Sequence, residues 1–238
     1  MDVIELLPRL HLLRFPVGQA CLWRDGGELT LVDAGPPGSG GAVAEAVTAL
    51  GYRPGSVRRI VLTHFHADHA GGAAEFAALA GSEIVAHAAD AAVLLGEVPG
   101  PPPVFGDWER PLHAAAQQRL PQGEFARPTR ITEVADEDVL EFGDGARVVH
   151  VPRHTDGSIA VRLPEHGVLF TGDCAAASPA DGAVLPGVFH LDRPRALASF
   201  RRLASLDTDM ACFGHGDPVT TGASAVLRKA AEDHSAPR

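Results

Sequence analysis

The 238-residue sequence holds three cysteines, one lysine and one tyrosine, and it has no apolar run near the ~20 residues that span a bilayer. Each scarcity excludes something. Cys21, Cys174 and Cys212 are odd in number and far apart, which fits neither a disulfide framework nor a CxxC zinc knuckle and suits a reducing cytoplasm. Lys229 is the sole lysine, and the formal net charge is −10. Without a dense basic run, the chain lacks the electrostatic footprint of a nucleic-acid binder. The first twenty residues, MDVIELLPRLHLLRFPVGQA, carry acids before any base, and Pro8, Arg9, His11 and Arg14 interrupt an apolar core. No export signal is expected from them. With hydrophobic residues at 45% and charged ones at 21%, the chain reads as a globular protein meeting neither membrane nor nucleic acid. Its length suits one large domain.

What is present is a mixture of strand and helix patterns. Residues 20–33 read as two strands joined by the Asp25-Gly26-Gly27 turn, a hairpin signal. A helix over 41–50 ends at Gly51, and a buried strand is predicted at 58–63 with a helix opening at 71–79. Further strands fall at 83–87, 146–152 and 210–213. A second hairpin spans 158–171, turning at Pro164-Glu165-His166-Gly167. Helices are predicted at 88–95, at 194–203 with Asp192 as cap, and at 221–233. Strands come in two batches, each followed by helices, so the expected class is α/β (α+β), two sheets face to face with helices outside. Residues 96–132 break the pattern: Pro/Gly-rich flanks enclose a helix-like stretch at 111–120. Phe105, Trp108 and Phe125 give this insertion apolar anchors, and it is expected to be an ordered lid that selects substrate.

Thr63-His64-Phe65-His66-Ala67-Asp68-His69 then stands out, because three histidines and an aspartate crowd a strand-to-helix loop. In extended backbone, residues two apart face the same way, so His64 and His66 can grip one cation while Asp68 and His69, beyond the bend, point elsewhere. One loop can thus serve two ions. Further ligands are expected just beyond other strand ends, where His154, Asp173 and His215 each stand among turn residues.

Together, Thr63 to Gly72, His154-Thr155-Asp156-Gly157-Ser158, Thr171-Gly172-Asp173 and Gly214-His215-Gly216 resemble the metallo-β-lactamase-fold hydrolase superfamily, as does Leu31-Val32-Asp33-Ala34-Gly35. The match runs in the superfamily's order from about residue 20 to about 218. The resemblance implies a four-layer αββα sandwich. It also implies one metal on His64, His66 and His154, a second on Asp68, His69 and His215, and Asp173 bridging both. Five histidines and two aspartates suit zinc, with iron or manganese as other occupants. By the same resemblance the chain is a dinuclear zinc hydrolase that uses a metal-bridging hydroxide on a small ester, thioester, lactone or amide. Asp68 is the expected catalytic residue, orienting the nucleophile and carrying a proton to the leaving group.

Subclass is less legible. Glyoxalase II enzymes usually have His where Ser158 stands, and their C-terminal helical domain finds no room here. Quorum-quenching lactonases use a Tyr near the metals, whereas the one tyrosine is Tyr52, upstream of the loop. Zinc β-lactamases are normally exported and lack an Asp at the position of Asp173. The rival class is a mononuclear iron persulfide dioxygenase, which shares the fold and uses two His and the late Asp. His66 argues against the flavodiiron branch, where an acid replaces it. A purely structural zinc is disfavoured, since such sites close with four ligands. Among neighbouring residues, Asp33 reads equally as a group orienting a histidine or as a cap, and Arg153 and His190 as anion contacts or solvated groups. His87, His113, His150 and His166 read as structural, and Cys174 as a buried small hydrophobe.

Overall fold

The computed structural model describes residues 1–121 and 126–234. Phe125, expected to anchor the insertion, lies outside the described residues. In chain order come β1 (Asp2–Leu7), β2 (Leu10–Arg14), β3 (Gln19–Asp25), β4 (Glu28–Val32), α1 (Gly40–Ala49), β5 (Val57–Val61), α2 (Ala67–Ala70), α3 (Ala73–Ala80), β6 (Glu83–His87), α4 (Ala88–Leu94) and α5 (Glu109–Arg119). Then follow β7 (Thr132–Val134), β8 (Val139–Leu140), β9 (Ala146–His150), β10 (Ile159–Leu163), β11 (Val168–Phe170), β12 (Ala175–Ala177), β13 (Val184–Pro186), α6 (Arg193–Ala204), β14 (Met210–Cys212) and α7 (Ala223–Asp233). The first sheet runs in order from β1 to β7, antiparallel up to β4 and parallel beyond it. The second has the order β14-β11-β10-β9-β8, and β12 pairs with β13 alone.

Side-chain alternation explains the layering. In β3, Cys21 and Trp23 point between the sheets while Ala20 and Leu22 point toward α1 and α3. In the second sheet, Ile159, Val161, Val168, Phe170, Met210 and Cys212 meet the first sheet. Their neighbours Ala160, Leu169 and Ala211 meet Phe200 and Leu203 of α6 and Leu227 of α7. Both sheets are therefore buried on both faces, which is why their strands read as nearly unbroken apolar runs. The result is the expected four-layer αββα order. Among the described residues, no helix is long and apolar enough to cross a membrane.

Some elements escaped the sequence reading. The hairpin of β1 and β2 occupies the first fourteen or so residues, where polar side chains alternate with apolar ones and Pro8 and Arg9 supply the turn. The strands β7, β8, β12 and β13 have two or three residues each, too few to show a period. The helix expected from 71 is preceded by one extra turn, α2, that holds Asp68 and His69. Asp192 does cap α6, accepting from the Arg195 N–H at 3.1 Å.

The topology fixes where chemistry can gather. With β10 antiparallel to both β9 and β11, and β11 parallel to β14, the strands β9, β11 and β14 all end at one edge. At this edge the Ile159 N–H donates to the Thr63 carbonyl at 2.8 Å, so the loop after β5 of the first sheet is tied to the second sheet.

Candidate metal centre

The loop after β5 carries His64 and His66, the latter in extended backbone, and α2 then swings Asp68 and His69 across. His154 follows β9, Asp173 follows β11 and His215 follows β14. The structure brings all seven together. Potential ligand atoms lie within 4.8 Å of one another in three overlapping groups: His64, His66 and His154; His64, His69 and Asp173; Asp68, His69 and His215. His154 Nε2 faces His66 Nδ1 at 2.9 Å. His215 Nε2 lies 3.1 Å from Asp68 Oδ2 and 3.4 Å from Asp173 Oδ2. His69 Nε2 is 3.3 Å from Asp173 Oδ1, and His154 Nε2 is 3.6 Å from Asp173 Oδ2. Asp173 thus touches both halves of the cluster.

Two groups behind the cluster set its protonation. Asp33, held at φ 60° where a non-glycine residue is strained, accepts from the Thr63 N–H at 2.7 Å and the Thr63 hydroxyl at 2.8 Å. Its Oδ2 also lies 2.9 Å from His69 Nδ1. The Thr63 hydroxyl, already donating to Asp33, faces His64 Nδ1 at 3.0 Å as an acceptor. Both rings therefore carry a proton on Nδ1 and turn Nε2 into the cluster, the usual device for orienting metal-ligating histidines. Asp33 is accordingly an orienting group and not a helix cap.

Burial and charge act against each other throughout the cluster. Burial and the neighbouring imidazoles hold His64 and His154 well below the ordinary histidine range, and burial lowers His66 to about 4. Burial also opposes charge on His69 and His215, but Asp173 and Asp68 outweigh it, raising His69 and lifting His215 to about 10. Burial likewise opposes charge on Asp68 and Asp173, and His69 and His215 overcome it, pulling both carboxyls below their usual range. The two carboxylates and the two imidazoles thus favour each other's charged forms against burial. Even so, His64 Nε2, His69 Nε2 and Asp173 Oδ1 are buried without a hydrogen-bond partner among the described residues. Leaving such an atom unsatisfied costs about 1–3 kcal/mol. Imidazole nitrogens and carboxylate oxygens converging on that gap are the donor set of a divalent cation; the residues present fit one.

The sequence reading missed Asp90. It lies on α4, whose first turn is capped by His87 accepting from the Ala89 N–H. Its buried carboxylate accepts from the Phe65 N–H at 3.1 Å, the Thr155 hydroxyl at 2.7 Å and the Gly157 N–H at 2.7 Å. It thereby clamps the His64/His66 loop to the His154 turn. Burial raises it to about 6, against those three donors. No short motif marks it, because its partners lie 25 to 67 residues away. A Cβ on Gly157 would come within 2.6 Å of it, and one on Gly214 within 2.1 Å of Asp173 Oδ1, so both positions need glycine for close approach.

The remaining candidates divide. Arg153 pairs its guanidinium with Asp156 at 2.9 Å, so it is not a free anion contact. His190 is buried beside His154, ring centroids 5.7 Å apart, and among the described residues neither ring nitrogen has a hydrogen-bond partner. His87 and His150 stack on each other, and His166 packs on Trp23 and meets Asp144. His113 packs between Phe105 and Phe189. Cys174 is buried in the α6-facing core. Ser158 builds the His154 turn, its Oγ accepting from the Thr155 N–H at 2.9 Å. Tyr52 sits on the α1-side core, where its hydroxyl accepts from Arg24.

Comparison with known proteins agrees with this geometry. Residues 15–215 match the family described as the metallo-beta-lactamase superfamily. The chain is 26% identical over 230 residues to the probable metallo-hydrolase YqjP of Bacillus subtilis, covering 87% of this chain and 70% of that protein. It is 29% identical over 191 residues to a hydroxyacylglutathione hydrolase of Cereibacter sphaeroides, covering 79% of this chain but 58% of that enzyme. A metallo-beta-lactamase family protein of Thermus thermophilus superposes with a TM-score of 0.71 at 27% identity, over 96% of this chain and 79% of its own.

Two outcomes are expected. Since His69 and His215 hold protons at neutral pH that a cation must displace, zinc affinity will rise with pH up to about 10 and uptake will release protons. Titration calorimetry in buffers of differing ionisation enthalpy measures this, and a pH-independent affinity contradicts it. Asp90→Ala leaves three donors unpaired, which lowers stability by on the order of 3 kcal/mol and weakens zinc binding roughly 10–100-fold through the two loops. Wild-type melting and zinc affinity in that variant would show that the clamp is idle.

Proposed function

This chain belongs to the metallo-beta-lactamase superfamily as a metallo-hydrolase, and we propose that it is a dinuclear zinc enzyme cleaving a small ester, thioester, lactone or amide in the cytoplasm. In this reading His64, His66 and His154 hold one ion, Asp68, His69 and His215 the other, and Asp173 both. The observation that carries it is the convergence of these seven side chains around buried ring nitrogens and a carboxylate oxygen that lack any other partner among the described residues. When bound, paired zinc ions supply a lowered pKa for water and polarisation of the scissile carbonyl.

The protein's own groups do the rest. Asp33 and Thr63 keep the His69 and His64 rings in the tautomer that offers Nε2 inward. In this reading Asp68, partly open to solvent beside the half-exposed His215, orients the attacking water and then passes its proton to the leaving group. His64 and His154 are held neutral by burial, so they serve as lone-pair donors and not as acids. A one-iron dioxygenase requires only two histidines and the late aspartate, and would leave Asp68, His69 and His215 without a role. Three free, buried cysteines are in keeping with a reducing compartment.

Among the candidate bonds, an acyl thioester is favoured by the similarity to a protein named hydroxyacylglutathione hydrolase. The chain spans little more than half of that enzyme, and Ser158 and the His154 turn differ from the glyoxalase II pattern, so the thiol carrier need not be glutathione.

Chelation is expected to abolish hydrolysis of a thioester and ester panel, and added zinc to restore it. Asp173→Ala is expected to lose metal and activity together, by more than the roughly 10–100-fold typical of outer-shell partners. Full activity with metal retained in Asp173→Ala would remove that residue from the shell.

A further inference from the structure

Beside His154, two segments distant in sequence meet. The Val104 N–H donates to the His190 carbonyl at 2.9 Å. Glu109, 2% exposed, takes the Gly106 N–H on one oxygen at 2.7 Å and the Phe189 N–H on the other at 3.0 Å. These bonds fix the start of α5 and the segment before it against residues 187–190. The insertion also reaches the metal loop, where a Cβ on Gly100 would fall within 2.7 Å of the Phe65 ring. The joined segments present an aromatic wall: Phe105 and Phe189 have ring centroids 6.1 Å apart, with His113 packed at 4.7 and 5.1 Å from them.

Arginine borders this wall. The Arg110 guanidinium lies 5.5 Å from the Phe105 ring centroid and the Arg193 guanidinium 5.7 Å from that of Trp108. Trp108 is 53% exposed; it is thus a platform for a cation at the rim and not the apolar anchor expected from sequence. Arg14, Arg153 and Arg202 each have a carboxylate oxygen within 2.9 Å. Among the described residues, Arg110 and Arg193 have no carboxylate within ion-pairing distance. In a chain of net charge −10, Arg110 and Arg193, held on aromatic rings, are the cations of this wall; the neighbouring carboxylates of Glu109 and Asp192 are committed to backbone amides, and Asp107 is the exposed acid of the same segment.

We infer that this wall is the acyl-binding site and that it selects an acyl group ending in a carboxylate, whose chain lies on Phe105 and Phe189 while its carboxylate meets Arg193 and Arg110. The inference rests on the hydrolase reading and gives it a substrate class. Arg153, singled out in the sequence, is not part of the rim because Asp156 already holds it.

The test compares two thioesters of one thiol, a four- to six-carbon acyl group ending in carboxylate and its neutral methyl-ended counterpart. Calorimetry on their non-hydrolysable thioether analogues runs beside the kinetics, all with zinc-loaded protein. The wild type is expected to favour the carboxylate form by about tenfold or more in kcat/KM, the scale of a charge-assisted hydrogen bond, chiefly through KM. Arg193→Gln is expected to reduce that ratio, and Arg110→Gln with Arg193→Gln to bring it near one. Lys229→Gln on α7, which removes the same charge elsewhere, keeps the wild-type ratio. No preference in the wild type, or one unchanged in the double variant, overturns the inference. If neither thioester is cleaved but the analogues show a charge preference that the double variant loses, the wall stands and the hydrolase reading falls.

Discussion

Two largely enclosed carboxylates and a ring of imidazoles, packed close to one another, set the terms for everything built around them. His69 and His215 pull the Asp68 and Asp173 carboxyls below their usual range against burial, and the two carboxylates in turn raise both imidazoles. The rest of the architecture can be understood as holding that uncomfortable cluster closed. Asp33 accepts a strained backbone to orient His69. Thr63 has three tasks, binding Asp33, facing His64 and tying the second sheet through its carbonyl.

The fold makes such crowding possible because several strands end at one edge. The loops there are short and are brought together by close backbone approach: Gly214 passes against Asp173, Gly172 at φ 51° against Thr63, and Gly157 against Asp90. Behind them lie three apolar layers that do not depend on the site. A core of this kind can keep a strained edge in place, and the site's ligands can change occupancy without moving the layers.

Much of this was legible in the sequence for a physical reason. The metal loop compresses four ligands into six residues, so local spacing alone shows which pairs share a face, and the later ligands follow apolar strands and stand among turn residues. The strands themselves were visible because burial on both faces makes them continuous apolar runs. What could not be read were contacts without local period. Asp90 looks like an ordinary polar residue of a short helix until the tertiary fold delivers Phe65, Thr155 and Gly157 to it. His113 and the two rim arginines likewise acquire meaning only when residues 104–113 meet 187–193. The short strands β7, β8, β12 and β13 borrow their conformation from partners and leave no pattern of their own. Ser158, which set this chain apart from one subclass, is a turn-forming residue, so it reports on the shape of the His154 loop and not on the ion.

The central claim is that the seven side chains form one site for two ions. It is tested most directly by elemental analysis of the protein expressed in unsupplemented medium and purified without chelator or added metal. The account predicts close to two zinc ions per chain, both removed by a strong chelator with the fold intact. A single iron per chain would contradict it, as would metal-free protein that binds no zinc on addition.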